Sequence, residues 1–408
     1  MTAAAPTDKP AARQTTAAQV RQYRGPAILS FGFRPLFLAA GIWAALVMPA
    51  WIAAFAWAVT LPGAFPPFDW HVHELLYGYL PAVVGGFLLT AVPNWTGRLP
   101  MTGWRLLVLV LLWLAGRIAV LCSASLPAAV VAAVDLAFLA ALILAMGREI
   151  LAGRNWRNLK VLLGVALLFV GNLVFHWEAS LGPAFSGHGA RIGIAAAILL
   201  IMMIGGRIVP SFTRNWLMRN HAADGRMPAP LGRLDGASLM IAGVALLSWV
   251  VLPQSFVTAV LAFAAAALHL LRLARWAGDR TAAEPLVLIL HIGYFFVPLG
   301  FALLAVAILW PDLLLPSAAL HAWTAGGIGV MTLAVMTRAS LGHAGRPLRA
   351  NAGISLIYLL IVVAALARVA AGLGFAYEPM LHLSAALWTA AFLLFAVIFA
   401  PVLCLPRR

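Results

Sequence analysis

The feature that most constrains this chain is a series of apolar runs that recurs along almost its whole length. A helix that crosses the hydrocarbon core of a bilayer needs about 20 predominantly apolar residues, and runs of this length are separated here by short polar segments. Of the 408 residues, 64% are hydrophobic and 10% are charged, whereas soluble domains are about one quarter charged. The pattern predicts an all-α polytopic membrane bundle.

We expect about twelve transmembrane helices, with two of them meeting at Pro253 almost without a loop. Residues 1–30 are predicted to form a polar tail and residues 31–408 a single transmembrane bundle domain. Because every loop is short, any chemistry is expected inside the bundle. The predicted spans are 35–59, 71–92, 104–123, 127–146, 159–178, 189–209, 236–252, 254–274, 284–309, 317–337, 351–373 and 378–402.

The basic residues predict the orientation of these spans, because cytoplasmic loops retain lysine and arginine. Of the 27 such residues, 24 lie in the two terminal segments and in every second loop, which places both termini in the cytoplasm. The net charge of +15 therefore reflects topology in contact with membrane lipid, and nucleic acid is not an expected partner. Cys122 and Cys404 fall on opposite faces, so no disulfide framework is expected.

Paired glycines suggest an internal repeat. Predicted spans two, six and ten carry Gly85-Gly86, Gly205-Gly206 and Gly326-Gly327, and each span leaves the membrane through a polar segment containing threonine and arginine. Small residues allow helices to approach closely. The spacing suggests three four-helix units, although glycine is common in membrane helices and chance similarity is the alternative.

Six histidines from helices remote in sequence are predicted at one depth, near the periplasmic face. Imidazole is the commonest metal ligand, so such a group favours a haem, a copper ion or both. The alternative is that interfacial histidines form hydrogen bonds near the lipid headgroups. The candidate ligands are His71, His73, His176, His321 and His382, and His188 lies at the same depth.

The spacing of His71 and His73 limits which histidines can bind the same ion. Side chains two apart on a helix point to nearly opposite faces, so the two imidazoles are not expected to bind one ion. Tyr77 lies four residues after His73 and shares its face, and Tyr77 and Glu74 are candidate catalytic proton donors. The string HELLY lacks the second histidine of the HExxH motif, which excludes a zinc-protease site.

Arg117, Arg191 and Arg368 lie near the predicted periplasmic face, whereas the other basic residues lie in segments predicted to be cytoplasmic. Arg117 and Asp135 should lie at similar depths on neighbouring spans, so we predict an ion pair between them. Such a pair can simply hold a helical hairpin together. Alternatively Arg117, with Arg191 or Arg368, neutralises haem propionates as a cofactor-binding group.

Two further histidines, His269 and His291, lie near the cytoplasmic ends of spans eight and nine. Each could bind a second cofactor, or it could form hydrogen bonds within the bundle.

The polar strings resemble the NnrS family of haem- and copper-containing bacterial membrane proteins associated with the response to nitric oxide. The resemblance spans nearly the whole chain, and the strings are specific together but not singly. They are FRPLF at 33–37, WHVHE at 70–74, FLLTAVPNWTGR at 87–98, GGRIVPSFTRN at 205–215, HAWT at 321–324 and MTRASLGHAGR at 336–346.

The resemblance implies twelve spans, bound haem and copper, location in the inner membrane, and relief of nitrosative stress, often beside denitrification. It implies binding of nitric oxide or a related small molecule and an electron donor whose identity is open. It leaves open whether the protein is an enzyme. The alternatives are a twelve-helix secondary transporter and a haem-binding sensor or assembly factor without turnover. Haem-copper oxidases offer a more distant architectural analogy, with twelve helices in three arcs.

Overall fold

The computed structural model describes residues 23–220 and 224–406, and within these ranges it contains twelve apolar helices long enough to cross a membrane and no strand. The predicted all-α polytopic bundle is confirmed. The helices are α1 Phe33–Ala56, α2 Pro67–Thr96, α3 Trp104–Leu121, α4 Ala128–Ala152, α5 Leu159–Ala179, α6 His188–Arg219, α7 Arg233–Val251, α8 Phe256–Ala274, α9 Pro285–Leu309, α10 Pro316–His343, α11 Ala352–Gly372 and α12 Tyr377–Cys404.

The junction at Pro253 separates two helices, as predicted. α7 ends at Val251, and α8 begins at Phe256. The hydroxyl of Ser255 accepts a hydrogen bond from the backbone N–H of Val257 at 3.2 Å, which caps the start of α8. The helix count therefore stays even, and α10 and α12 begin on the same face as α2.

Helices α2, α6 and α10 form the centre of the bundle. They pack against one another, and their apolar segments are the most buried of the twelve. A Cβ atom at Gly86 would lie 2.7 Å from the ring of Phe37, and one at Gly326 would lie 2.2 Å from the ring of Phe296. The paired glycines therefore let neighbouring side chains reach the central helix backbones.

The surrounding helices repeat one arrangement three times, which supports three four-helix units. Helices α1, α5 and α9 each open a unit. Each packs against the last helix of the preceding unit, which is α12, α4 or α8, and against the central helix of that unit, which is α10, α2 or α6. Each unit is therefore completed by the first helix of the next.

Several helix ends differ from the predicted spans. α6 continues ten residues beyond its predicted end at 209, and α2 and α10 continue to Thr96 and His343. Long arginine side chains can reach the headgroup region from a helix that continues past the apolar core, so loss of hydropathy does not end the helix. The polar segments after the glycine pairs are therefore helical. Of the predicted tail, residues 1–22 lie outside the described ranges.

α2 and α10 share a second feature, a π-helical stretch directly after a candidate ligand. In α2 the stretch is Glu74–Tyr79, immediately after His73, and in α10 it is Ala322–Val330, immediately after His321. Segments of π-helix in membrane and soluble proteins are frequent at functional sites because the extra residue per turn redirects nearby side chains. Both histidines thus lie where the central helices change geometry.

Arg34 joins the beginning of α1 to the end of α12. Its side chain is buried, and its Nη1 atom donates to the carbonyl oxygens of Leu403 and Leu405 at 2.9 and 2.7 Å. These are C-terminal carbonyls without a partner inside their own helix, and a cation beside them is stabilised by the negative end of the helix dipole. Arg34 therefore adds hydrogen bonds to the packing of α1 against α12, which closes the ring of helices.

We predict that Arg34→Met lowers the free energy of unfolding by about 2–4 kcal/mol, since it leaves the buried carbonyl of Leu403 and the partly buried carbonyl of Leu405 unpaired. Denaturant titration of the detergent-solubilised protein measures the change. Arg349→Met removes an arginine from an exposed loop position and should change stability little. Equal losses in the two variants would contradict the capping role of Arg34.

Candidate functional site

His71 and His73 lie in the short α-helical start of α2, which Pro67 begins. Proline is favoured at the first position of a helix because its missing N–H has no partner there in any case. The two histidines are two residues apart, so their side chains diverge, and they enter different clusters. We call these the first cluster, around His73, and the second cluster, around His71.

The first cluster contains a group of three potential metal ligands, His73, Asp135 and His176, from α2, α4 and α5. One ligand atom of each lies within 4.8 Å of the others. The Oδ2 atom of Asp135 is 3.1 Å from Nε2 of His73 and 3.0 Å from Nε2 of His176. All three side chains are buried. Two imidazole nitrogens and one carboxylate oxygen therefore face a common point inside the bundle.

Arg117 holds both carboxylates of the first cluster. It forms the predicted ion pair with Asp135, and its Nη1 atom donates to Oε1 of Glu74 at 2.5 Å. The same Glu74 oxygen accepts a hydrogen bond from Nδ1 of His73 at 2.9 Å. The predicted pair is confirmed, and it also joins α3 to the histidine on α2.

Asn172 completes the first cluster, and sequence reasoning did not identify it. Its amide nitrogen donates to Oδ2 of Asp135 at 2.7 Å, and its amide oxygen accepts a hydrogen bond from Nε2 of His73 at 3.1 Å. It lies one helical turn before His176 on α5, at i and i+4. The signal available in the sequence was an amide within an apolar span, four residues before His176. Its role is to orient His73 and Asp135.

The charges of the first cluster do not balance. Glu74 and Asp135 contribute two negative charges, and Arg117 contributes one positive charge, all on buried side chains. An uncompensated charge in a low-dielectric interior is costly. One further positive charge is therefore required. In the metal-free cluster a second proton on His73 supplies it, since both ring nitrogens face hydrogen-bond acceptors, and a metal cation bound by the three ligands is the alternative.

Aromatic side chains enclose the first cluster. Phe65 packs against His73 and His176 with ring centroids 5.2 and 5.7 Å apart, and Phe175 packs against His73 at 5.4 Å. The ring of Tyr77 lies 5.7 Å from that of His73, as their shared face predicts. Its hydroxyl, however, donates to the carbonyl oxygen of Gly189 at 2.6 Å, so it ties α2 to α6 and points away from the imidazole.

The second cluster contains His71, His321 and Arg368, from α2, α10 and α11. Arg368 is a charged neighbour of both imidazoles, and His71 is in turn a neighbour of His321. Nδ1 of His71 and Nη1 of Arg368 are buried without a hydrogen-bond partner. Nδ1 of His321 donates to the carbonyl oxygen of Ser317 at 2.7 Å, which leaves Nε2 available as an acceptor.

Trp51 supports the second cluster from α1. Its indole stacks on the imidazole of His71 with ring centroids 4.2 Å apart. This contact fixes the plane of the ring without using either ring nitrogen. Buried polar atoms that lack partners need an explanation, and a bound group is one.

Two of the predicted site residues do not join either cluster. Arg191 donates to the backbone carbonyls of Ser186 and Val250 at 2.8 and 3.2 Å, which links the start of α6 to the end of α7. His382 is exposed on the outer surface of α12. His188 is exposed as well, and lies 3.3 Å from Glu178.

His269 on α8 and His291 on α9 lie outside both clusters and differ from each other in their hydrogen-bond partners. Both ring nitrogens of His269 have partners, the hydroxyl of Tyr294 at 2.8 Å and the carbonyl oxygen of Ser238 at 3.2 Å. Those contacts favour the hydrogen-bonded alternative for His269. Nε2 of His291 lies 2.8 Å from the hydroxyl oxygen of Thr213, but its Nδ1 is buried without a partner.

We predict that Arg117→Met destabilises the protein by about 3–5 kcal/mol, because it leaves two buried carboxylates without their cation. Adding Glu74→Gln restores the original net charge of the cluster and should recover part of the loss. Denaturant titrations of the single and double variants measure both effects.

The matched control for this pair is Glu149→Gln, which removes a carboxylate that pairs with Arg98 at the surface. Combined with Arg117→Met, it should add to the loss or leave it unchanged. Equal recovery by Glu149→Gln and Glu74→Gln would show that charge balance within the cluster does not determine stability.

Comparison with protein families identifies a match. The family model described as NnrS protein matches residues 27–407, which include every residue of both clusters and all twelve helices. No curated protein matches the chain. The match covers nearly the whole chain, and its twelve helices fit a multi-pass membrane bundle. The chain therefore belongs to the NnrS family.

Proposed function

We propose that this chain is a haem- and copper-binding protein of the bacterial inner membrane that binds nitric oxide, or a product of nitric oxide, during nitrosative stress. Both termini lie in the cytoplasm in this proposal, and both clusters lie towards the periplasm. The observation that carries the proposal is the group of three converging ligand atoms in the first cluster, where two carboxylates face one guanidinium and a bound cation can replace the second proton of His73. Family membership supports the identity of the cofactors.

Copper is assigned to His73, Asp135 and His176. Imidazole nitrogen is a common copper ligand, and a carboxylate oxygen adds a negative charge to the site. The converging donor atoms are suited to a single ion. Asn172 and Glu74 form hydrogen bonds with His73 and so fix its orientation, as partners of ligand histidines commonly do.

Haem is assigned to the second cluster. His71 and His321 approach from two central helices, and each has a ring nitrogen free of protein hydrogen bonds. Histidine is a common axial ligand of haem iron. The unpartnered Nη1 of Arg368 suits a propionate carboxylate, because a guanidinium pairs well with that group. The orphaned polar atoms therefore fit the group that the family implies.

When bound, haem iron and copper would supply sites for nitric oxide and for one-electron chemistry. The protein contributes the surroundings. Phe65 and Phe175 limit access of water to His73, and Arg117 stabilises the two carboxylates beside it. Glu74 lies one hydrogen bond from His73 and is the proposed proton relay, which would take up a proton before passing it on; Tyr77 is the second candidate, although its hydroxyl donates to Gly189 in this structure.

Removing a ligand from one cluster should deplete one cofactor and spare the other. In His176→Ala we expect copper content to fall by at least about tenfold with the haem spectrum unchanged. In His321→Ala we expect loss or displacement of the Soret band with copper unchanged. Metal analysis and optical spectroscopy of the purified proteins measure these effects.

The control for both variants is His382→Ala, since His382 is exposed on α12. It should retain both cofactors in this proposal. Wild-type protein that lacks both copper and a Soret band would refute the proposal, and parallel loss of both cofactors in His176→Ala would refute the separation into two centres.

Copper affinity should rise with pH between about pH 5 and about pH 8, because a bound metal replaces protons on histidine. In the metal-free cluster, Nε2 of His73 and of His176 lies within hydrogen-bond distance of Asp135. Competition titration against a chelator of known affinity measures the trend. Affinity independent of pH, or falling as pH rises, would contradict ligation by these imidazoles.

Stopped-flow mixing of the reduced protein with nitric oxide separates a binding protein from an enzyme. Stoichiometric uptake without further consumption indicates a sensor or carrier. Repeated consumption with an added reductant indicates turnover, with an electron donor still to be identified. A protein with neither response would not support the nitric oxide proposal.

A further inference from the structure

A cavity of about 260 Å³ lies where the three central helices α2, α6 and α10 meet, at the end of the bundle that the arginine pattern predicts to be cytoplasmic. Helices α1 and α9 complete its wall, and Leu348, in the loop after α10, lies at its rim. Thr90 in the wall lies roughly 28 Å along α2 from His71, at the usual helical rise. The cavity is therefore separate from both clusters.

The wall of this cavity is mainly apolar. Phe37, Phe87 and Phe212 contribute aromatic rings from α1, α2 and α6. The hydroxyl of Thr90 donates to the carbonyl oxygen of Gly86 at 2.8 Å, so it is satisfied within its own helix. An occupant of the cavity therefore needs an apolar body to replace water against these rings.

One arginine, Arg338 on α10, lines the open volume of the cavity. Its guanidinium carbon lies 4.0 Å from the centroid of the Phe212 ring. This stacking uses the flat face of the guanidinium and leaves its in-plane N–H groups free to donate hydrogen bonds. The side chain forms no ion pair or hydrogen bond with any residue that the structure describes. A partly buried cation without a counter-ion favours an anion in the cavity beside it.

The acidic neighbour of Arg338 is Glu284, which is engaged elsewhere. Its Oε1 atom accepts hydrogen bonds from the backbone N–H groups of Leu286 and Ala350 at 3.1 and 3.3 Å, so it caps the start of α9. Arg219 is a further positive neighbour of Arg338. The charges around the cavity therefore sum to a positive value, which attracts an anion from solution.

The volume of the cavity and its single guanidinium narrow the class of ligand. An apolar cavity of about 150 Å³ holds one benzene ring, so the larger volume here has room for such a ring with a carboxylate attached. A carboxylate matches the guanidinium fork through two parallel hydrogen bonds. A dianion such as phosphate would leave one charge unpaired beside the apolar wall, and a neutral molecule would leave Arg338 without a counter-ion.

We propose that this cavity binds a small organic monocarboxylate, about the size of benzoate, from the cytoplasm. The carboxylate pairs with Arg338, and the apolar body packs between Phe37, Phe87 and Phe212. Because central helices form most of the wall and a loop forms the rim, the ligand enters from water and not sideways from the bilayer. This site goes beyond the proposed function and depends on neither haem nor copper.

The test is binding of 4-fluorobenzoate to the full chain in phosphatidylcholine nanodiscs, followed by fluorine NMR, with the signal from empty discs subtracted. We expect saturable binding. The neutral analogue 4-fluorobenzamide has nearly the same shape and should bind at least about tenfold more weakly, because it cannot form the charge-assisted pair with Arg338. This comparison uses only the wild type and so does not rely on any variant.

Two variants test the residues. Arg338→Gln removes the charge but keeps hydrogen-bond donors, and Ala339→Leu adds bulk to the cavity wall on α10. Each should weaken 4-fluorobenzoate binding by at least about tenfold. Arg349→Gln removes a positive charge from an exposed position at the same end of the bundle, outside the cavity wall. This control should bind 4-fluorobenzoate like the wild type.

Equal affinity for 4-fluorobenzoate and 4-fluorobenzamide would overturn the proposal, and so would wild-type affinity in both cavity variants. Displacement of the probe by inorganic phosphate as effectively as by unlabelled benzoate would show a simple ionic site and would also overturn it. Abolition of binding in phosphatidylglycerol discs would identify a lipid headgroup as the occupant, against the proposal. Metal-free protein suffices for every measurement, so failure here is distinguishable from failure of the proposed function.

Discussion

The excess negative charge buried around Asp135 is the constraint on which the rest of the site depends. Two carboxylates and one guanidinium lie inside an apolar bundle, and hydrogen bonds from Asn172 and two histidines converge on one carboxylate oxygen. Such a group persists inside a membrane only if its charges are compensated. A second proton on His73 provides that compensation in the metal-free cluster, and a cation shared by His73, Asp135 and His176 would provide it in the metal centre that we propose.

The fold brings these side chains together by surrounding three central helices with three similar units. α2 supplies histidines to both clusters, because His71 and His73 diverge from one helical turn. The second cluster draws its other members from α10 and α11, and the first from α3, α4 and α5. Glycines on the central helices permit this close packing, and the π-helical stretches begin directly after His73 and His321.

Sequence reasoning was reliable where hydropathy and charge determine the structure. It predicted twelve helices, the division at Pro253 and the pairing of Arg117 with Asp135, because segment length, loop charge and helical rise set these features. The sequence predicted the depth of a residue in the membrane, but it did not predict which side of the helix the residue faces. His382 was therefore grouped with the other histidines although it faces outward, and Asn172 was overlooked although it faces the site. The full length of α6 was also missed, because its polar end remains helical without being apolar.

The most direct test of the central claim is X-ray absorption spectroscopy at the copper edge of the purified protein. The account predicts one copper per chain with nitrogen and oxygen neighbours only, including the scattering pattern of two imidazole rings. In His176→Ala with copper added back, the pattern should fall to one imidazole. Copper bound through sulfur, or an unchanged two-imidazole pattern in that variant, would contradict the assignment of the metal to the cluster around Asp135.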